Sequence, residues 1–223
     1  MAEMKELFPG IYGFGQLLFT KNLCKGVKVY GEQLLESKGE EFRQWMPERS
    51  KLAAAIKKGL KEMPVKKGAH ILYLGSAEGT TISHLSDIIG EEGVIFGVDI
   101  SERVMRKFLW LCEHRKNIAP ILGDAEQPQS YLKDLSGTKV DLLYQDVSQK
   151  NQAQIFLKNA RMYLKGEGHG LLVIKVRSIS QTEKAQKVVE KEIKLLEKEF
   201  EIIQPVSLEP FDTEHAMVLC KRK

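Results

Sequence analysis

From Lys66 onward, short apolar runs alternate with segments of helical spacing, and no other feature constrains this chain as strongly. The runs cover residues 70–74, 94–98, 118–122, 140–144 and 170–176. The segments between them cover 80–89, 102–114, a short 130–134, 152–163 and 182–200. Strands that are apolar nearly throughout and alternate with helices make a parallel sheet covered on both faces. Two further runs, 202–208 and 216–220, leave no room for a crossover helix, which predicts an antiparallel pair at the sheet's end. The expected fold is α/β: a seven-stranded doubly wound sheet, mostly parallel, closed by a C-terminal antiparallel hairpin.

Residues 1–45 break this rhythm. Aromatic and aliphatic residues alternate from Ile11 to Tyr30 among Gly13, Gly15 and Gly26, as in a small antiparallel meander. A helix is expected from Ser50 to about Met63, closed by Pro64. The expected division is a small β-rich region over 1–48 and a main domain over 49–223. With 43% hydrophobic and 29% charged residues the chain is composed to fold rather than to stay disordered. Its net charge of +4 permits a polyanionic partner without demanding one. Cys24, Cys112 and Cys220 are scattered and odd in number, which argues against a disulfide framework or a thiolate metal site and for reduced, mostly buried thiols. No basic patch precedes an apolar run at the N-terminus and no run approaches a membrane span. The expectation is a soluble, cytoplasmic protein with no metal.

The most informative stretch is Ile71-Leu72-Tyr73-Leu74-Gly75-Ser76-Ala77-Glu78-Gly79-Thr80-Thr81, a strand running through a glycine turn into a helix. In a doubly wound sheet this first strand–helix turn is the usual ligand site. Asp99 closes the next strand, placed to accept hydrogen bonds from ribose hydroxyls, and Gly123-Asp124-Ala125 follows the third, where it could meet an adenine edge. An adenosine-containing cofactor is implied. The G-x-x-x-G spacing lacks the middle glycine of the dinucleotide fingerprint and the GK[ST] ending of a P-loop. It favours S-adenosylmethionine (SAM) over a dinucleotide, and leaves a nicotinamide-dependent oxidoreductase and a catalytically silent scaffold of the same fold as alternatives.

Asp146 stands where the fourth strand meets its loop, and Lys175 near the end of the otherwise apolar fifth. Lys51 lies near the start of the helix before the sheet, and His215 opens the last strand. Each alone has an ordinary structural explanation. Together they suit methyl transfer to a sugar hydroxyl, where a lysine favours the developing oxyanion and a carboxylate orients the groups.

Several blocks resemble the fibrillarin family, in the archaeal form without a glycine/arginine-rich N-terminal extension. They are Lys21-Asn22-Leu23, Val29-Tyr30-Gly31-Glu32, Trp45-Met46-Pro47-Glu48-Arg49-Ser50-Lys51-Leu52-Ala53-Ala54-Ala55-Ile56, Leu72-Tyr73-Leu74-Gly75 with Gly79-Thr80-Thr81-Ile82-Ser83-His84, and Asp146-Val147 with Gln149. The resemblance spans nearly the whole chain. It implies a Rossmann-like SAM-dependent methyltransferase fold and a SAM-dependent RNA 2′-O-ribose methyltransferase of the box C/D ribonucleoprotein, active in rRNA and tRNA processing. Implied partners are the guide RNA, its rRNA or tRNA target, a Nop-family scaffold protein and a kink-turn-binding ribosomal-type protein, with homodimerisation through the N-terminal region as a further possibility. The family's catalytic constellation falls on Lys51, Asp146, Lys175 and His215. Its cofactor contacts fall on Gly75, Thr80, Thr81, Asp99, Ile100, Asp124, Ala125, Asp146, Val147, Ser148 and Gln149. The family commonly has Glu where Asp99 stands, Ala-Ala-Ser in place of Ser76-Ala77-Glu78, a small residue at Gln145 and Ala at Ser148. None of these departures removes a group the chemistry needs.

Overall fold

The computed structural model describes residues 4–223. An N-terminal antiparallel sheet is built from β1 (Lys5–Phe8), β2 (Ile11–Phe14), β3 (Leu17–Lys21), β4 (Leu34–Ser37) and β5 (Glu40–Trp45), in the order β1-β2-β3-β5-β4. The meander read over Ile11–Tyr30 thus ends as strand at Lys21, and the sheet is completed by two strands beyond it.

Helix α1 (Lys51–Lys57) follows, capped by Ser50, whose hydroxyl accepts from the Ala53 amide. It stops well short of Met63. Gly59 takes φ +88°, its amide donates to the Ile56 carbonyl and the Leu60 amide to the Ala55 carbonyl, each at 3.0 Å. That pair is a Schellman closure, which needs a left-handed residue and therefore recruits glycine. Gly59, not Pro64, ends the helix.

The main sheet runs β6 (His70–Leu74), α2 (Thr80–Ile89), β7 (Val94–Asp99), α3 (Glu102–His114), β8 (Ile118–Leu122), a 3-10 turn at Pro128–Tyr131, β9 (Val140–Gln145), α4 (Gln152–Tyr163), β10 (Leu164–Lys175), α5 (Val176–Ile179), α6 (Ala185–Leu196), β11 (Phe200–Ser207) and β12 (His215–Arg222). The order is β11-β12-β10-β9-β6-β7-β8, with β12 antiparallel to both its neighbours and the remaining pairs parallel. This is the seven-stranded doubly wound fold expected. The helical spacing read over 130–134 and 182–200 is realised as the short 3-10 turn and as the shorter α6.

Alternate strand residues face opposite cores. Ile71, Tyr73, Leu142, Tyr144, Leu171 and Val173 join one face with α1, α2 and α3. Leu72, Leu74, Leu143, Leu172 and Ile174 join the other with α4 and α6. The N-terminal sheet belongs to the first core through Ile11, Leu18 and Trp45.

A buried polar network completes that junction. The Arg43 guanidinium donates to Ser83 Oγ at 2.8 Å and lies 3.3 Å from Glu32 and 3.5 Å from Asp87. Arg115 pairs with Asp87 at 2.6 Å. His84 stacks on Trp45 at 4.9 Å and sits 2.7 Å from both Thr20 Oγ1 and Tyr30 Oη. Burial, with the Arg43 and Arg115 charges adding to it, holds its pKa well below the ordinary histidine value.

All three cysteines are free, but only Cys220 is buried; Cys24 and Cys112 are half-exposed. The expectation of mostly buried thiols therefore fails for two of them, which stand at the α3 surface and the loop against it, where Cys24 donates to the His114 carbonyl. Among the described residues no helix is long and apolar enough to cross a membrane.

Candidate active site

The strand order reverses between β6 and β9, so the chain leaves these neighbours in opposite directions and opens a crevice beyond their carboxyl ends. Gly75 and Asp146 follow the two strands there. The Asp146 amide donates to the Leu74 carbonyl at 2.9 Å, which draws the two turns together. Gly75 has φ +83°, and a Cβ on it would stand 2.6 Å from the Asp146 carbonyl oxygen. Glycine is required twice over here, for conformation and for space.

The resulting cleft has a volume of about 490 Å³. Of the sequence-expected cofactor residues, Gly75, Asp99, Ile100, Ala125, Asp146, Val147, Ser148 and Gln149 line it. Asp99 uses one carboxylate oxygen to accept from the Ala77 amide and the other to accept from the Ser101 amide, each at 3.0 Å. Each oxygen keeps capacity for a further donor such as a ribose hydroxyl. Ile100 is 62% exposed, an apolar plate beside that carboxylate.

Thr80, Thr81 and Asp124 stand outside this lining. The Thr80 carbonyl accepts from Ser83 Oγ at 2.8 Å. Thr81 Oγ1 lies 3.0 Å from Ser50 Oγ, and Asp124 turns its carboxylate back to the Glu126 amide at 2.9 Å. Ala77 and Gly123 line the cleft in addition. Ala77 is held at φ +47°, a conformation that no local sequence signal announces.

The four expected catalytic positions form one chain of contacts. Lys51 Nζ donates to Asp146 Oδ2 at 3.0 Å and lies 3.6 Å from Asp212. Lys175 Nζ lies 2.9 Å from Asp146 Oδ1, an ion contact. Its directed hydrogen bonds, both at 3.1 Å, go to the Asp146 carbonyl and Ser148 Oγ. His215 Nδ1 joins through Asp212 at 2.8 Å and lies 2.7 Å from the Thr213 carbonyl. Lys175 and His215 are paired directly across β10 and β12, so both project to the face that α1 covers. Burial pulls the Lys51 pKa down, but Asp146 and Asp212 outweigh it and the net shift is upward. Lys51 is therefore a fixed cation at neutral pH, suited to stabilising an oxyanion and unsuited to removing a proton.

Two positioning groups carried no sequence signal. Asp212 links Lys51 to His215 from the loop before β12. Gln152, fully buried, accepts from the Lys175 amide and donates to the Gln149 carbonyl, each at 2.9 Å, tying the end of β10 to the loop after β9. Among the described residues no three metal-ligating side chains gather to hold an ion.

The fibrillarin family profile matches residues 2–223. The chain belongs to the fibrillarin family. A fibrillarin-like rRNA/tRNA 2′-O-methyltransferase of Thermococcus sibiricus is 48% identical over 227 residues, covering both chains fully. Among solved structures, an Aeropyrum pernix fibrillarin with natively bound S-adenosyl-L-methionine superposes with TM-score 0.89 at 46% identity, covering 99% of this chain and 100% of that one. The fibrillarin of a fibrillarin/Nop5p complex superposes with TM-score 0.87 at 40% identity, covering 98% of this chain and 100% of that one. Of the blocks that carried the resemblance, Pro47–Lys51 and the Gly75 and Asp146 turns lie around the crevice, while Asn22, Leu23, Tyr30 and Glu32 belong to the buried network that joins the N-terminal sheet to α2 and α3.

Proposed function

We propose that this protein transfers the methyl group of SAM to the 2′-hydroxyl of a guide-selected ribose in ribosomal or transfer RNA, as a subunit of a box C/D ribonucleoprotein. The observation that carries the reading is the junction of the cleft with the Lys51–Asp146–Lys175 cluster at a single carboxylate. The cleft's residues suit SAM: Asp99 for the ribose hydroxyls, Ile100 and Ala125 against the adenine, and the Asp146–Gln149 segment for the methionine part. The turn at Gly75 carries Ala77 where the dinucleotide fingerprint has the middle glycine that makes room for a pyrophosphate. When bound, SAM supplies an electrophilic methyl on a sulfonium.

The chain's own residues do the rest. Lys51 and Lys175 present two ammonium groups to the oxygen that becomes negative, and Asp146 between them accepts the hydroxyl proton or orients the hydroxyl. Asp212 and His215 hold Lys51 from behind. Without a 2′-hydroxyl there is no nucleophile, so the substrate class is RNA.

The partner reading rests on the Nop5p complex of a relative and extends to a guide RNA, a kink-turn-binding protein and a second copy of this chain in a cytoplasmic particle. Residues 1–48 serve as the docking region and 49–223 as the transferase. The modest charge of +4 fits an enzyme whose partners hold most of the RNA.

The test is calorimetric titration of the full chain with SAM, and with NADH for comparison. Saturable SAM binding that weakens about tenfold or more in Asp99→Ala, with no NADH binding, is the expected result. NADH binding in its place would contradict the reading.

A further inference from the structure

A second, polar pocket of about 230 Å³ lies against the cofactor cleft, and the two share one residue, Asp146. Arg49 and Lys51 reach it from the turn into α1, Thr81 from the first turn of α2, and Phe211 and Asp212 from the loop before β12. Lys51 lines only this pocket and Lys175 only the cleft. The two ammonium groups that flank Asp146 therefore belong to two different openings.

That arrangement has a chemical consequence. Displacement at a sulfonium methyl requires the nucleophile on the side opposite the leaving sulfur, so donor and acceptor must arrive through two openings that meet at the reacting groups. Asp146 is where they meet. The second pocket is thus placed to receive the acceptor.

Its charges indicate how. Lys51 is engaged by Asp146 and Asp212. Arg49 forms no ion pair among the described residues; its guanidinium lies 5.9 Å from the Tyr30 ring centroid and is otherwise open to solvent. Glu48 also lines the pocket, but it is exposed, where water screens its charge. A planar guanidinium at the mouth of a sugar-sized pocket matches a phosphodiester in two-point geometry, which a lysine cannot reproduce.

We propose that this pocket takes the acceptor nucleotide and that Arg49 pairs with a phosphodiester adjoining the reacting ribose. The inference rests on the RNA methyl-transfer reading above and adds the residue that holds the acceptor's backbone.

The test uses the full chain in a reconstituted guide-RNA particle, with targets carrying a neutral methylphosphonate at the 5′ or the 3′ phosphodiester of the acceptor nucleotide. Arg49→Gln is expected to keep wild-type SAM affinity while kcat/KM for target RNA falls roughly ten- to hundredfold, the range of one lost charge-assisted contact. One of the two methylphosphonates is expected to lower the wild-type rate by a similar factor and to leave the Arg49→Gln rate unchanged, because that contact is already gone. Arg49→Lys is expected to recover only part of the loss. Arg49→Gln working at the wild-type rate, or losses from substitution and methylphosphonate that simply multiply, would overturn the inference. A wild-type particle that binds SAM yet methylates no ribose would overturn the methyl-transfer reading and this inference with it, through a control separate from the Arg49 comparison.

Discussion

At the scale of single residues, Asp146 is the point on which the site turns, because it faces two ammonium groups and belongs to both openings. Asp146→Asn keeps the shape and removes the charge. Transfer should fall by about a hundredfold or more, as for loss of a general base or an oxyanion-stabilising arrangement, while SAM still binds. Single-turnover methylation beside a SAM titration checks this, and wild-type transfer would remove Asp146 from the mechanism. Gly75 is the second critical position. Gly75→Ala combines a left-handed backbone with a Cβ 2.6 Å from the Asp146 carbonyl, so it should cost about 1–3 kcal/mol of stability and weaken SAM binding, both readable in thermal unfolding with and without the cofactor. Gly75, Asp99 and Asp146 were legible in sequence because each closes an apolar strand, and strand ends mark the active edge of such a sheet. Asp212 and Gln152 were not, because their importance comes from what the folded chain packs beside Lys51 and Lys175. Thr80, Thr81 and Asp124 stand apart from the cleft lining: the Thr81 hydroxyl meets Ser50, the Thr80 carbonyl accepts from the Ser83 hydroxyl, and the Asp124 carboxylate accepts from the Glu126 amide.

At the scale of elements, α1 records the difference between pattern and closure. The apolar spacing of residues 50–63 continues past the helix, yet the Gly59 turn ends it and sends the chain extended toward β6. Gly59→Ala should cost about 1 kcal/mol, seen as a lowered Tm, since a side chain at φ +88° is strained. The junction of α2 with the N-terminal sheet was not legible at all. Glu32, Arg43, Asp87 and Arg115 are far apart in sequence and read singly as surface charges. Buried together, they enclose His84 as a neutral ring. Its folded pKa lies well below the 6.5 of the unfolded chain, so unfolding takes up a proton. The stability contributed is complete above pH 6.5 and is lost as pH falls below it, at up to about 1.4 kcal/mol per pH unit. Half-buried His169, its pKa lowered by burial and by the Lys221 and Lys66 charges, adds in the same direction. Denaturant unfolding from pH 7 to pH 5 should show this loss, and His84→Gln should flatten it even though the variant is less stable at pH 7. An unchanged slope would assign the acid sensitivity elsewhere.

At the scale of the molecule, the doubly wound sheet was readable because its strands are apolar on both faces and so need helices on both sides. The N-terminal sheet was readable only as β-rich, since its register depends on a core it shares with α1 and α2 rather than on its own alternation. That shared core holds the Lys51 turn against the Asp146 turn and so keeps the two openings in register. The central claim is transfer to a ribose 2′-hydroxyl, and its most direct test is mass-spectrometric mapping of a target RNA after incubation with the complete guide-RNA particle and isotopically labelled SAM. One labelled 2′-O-methyl group at the guide-specified nucleotide is expected, absent when that nucleotide is 2′-deoxy and absent with Asp146→Asn. Label that persists on the 2′-deoxy target, or on base or protein instead of ribose, would contradict the account.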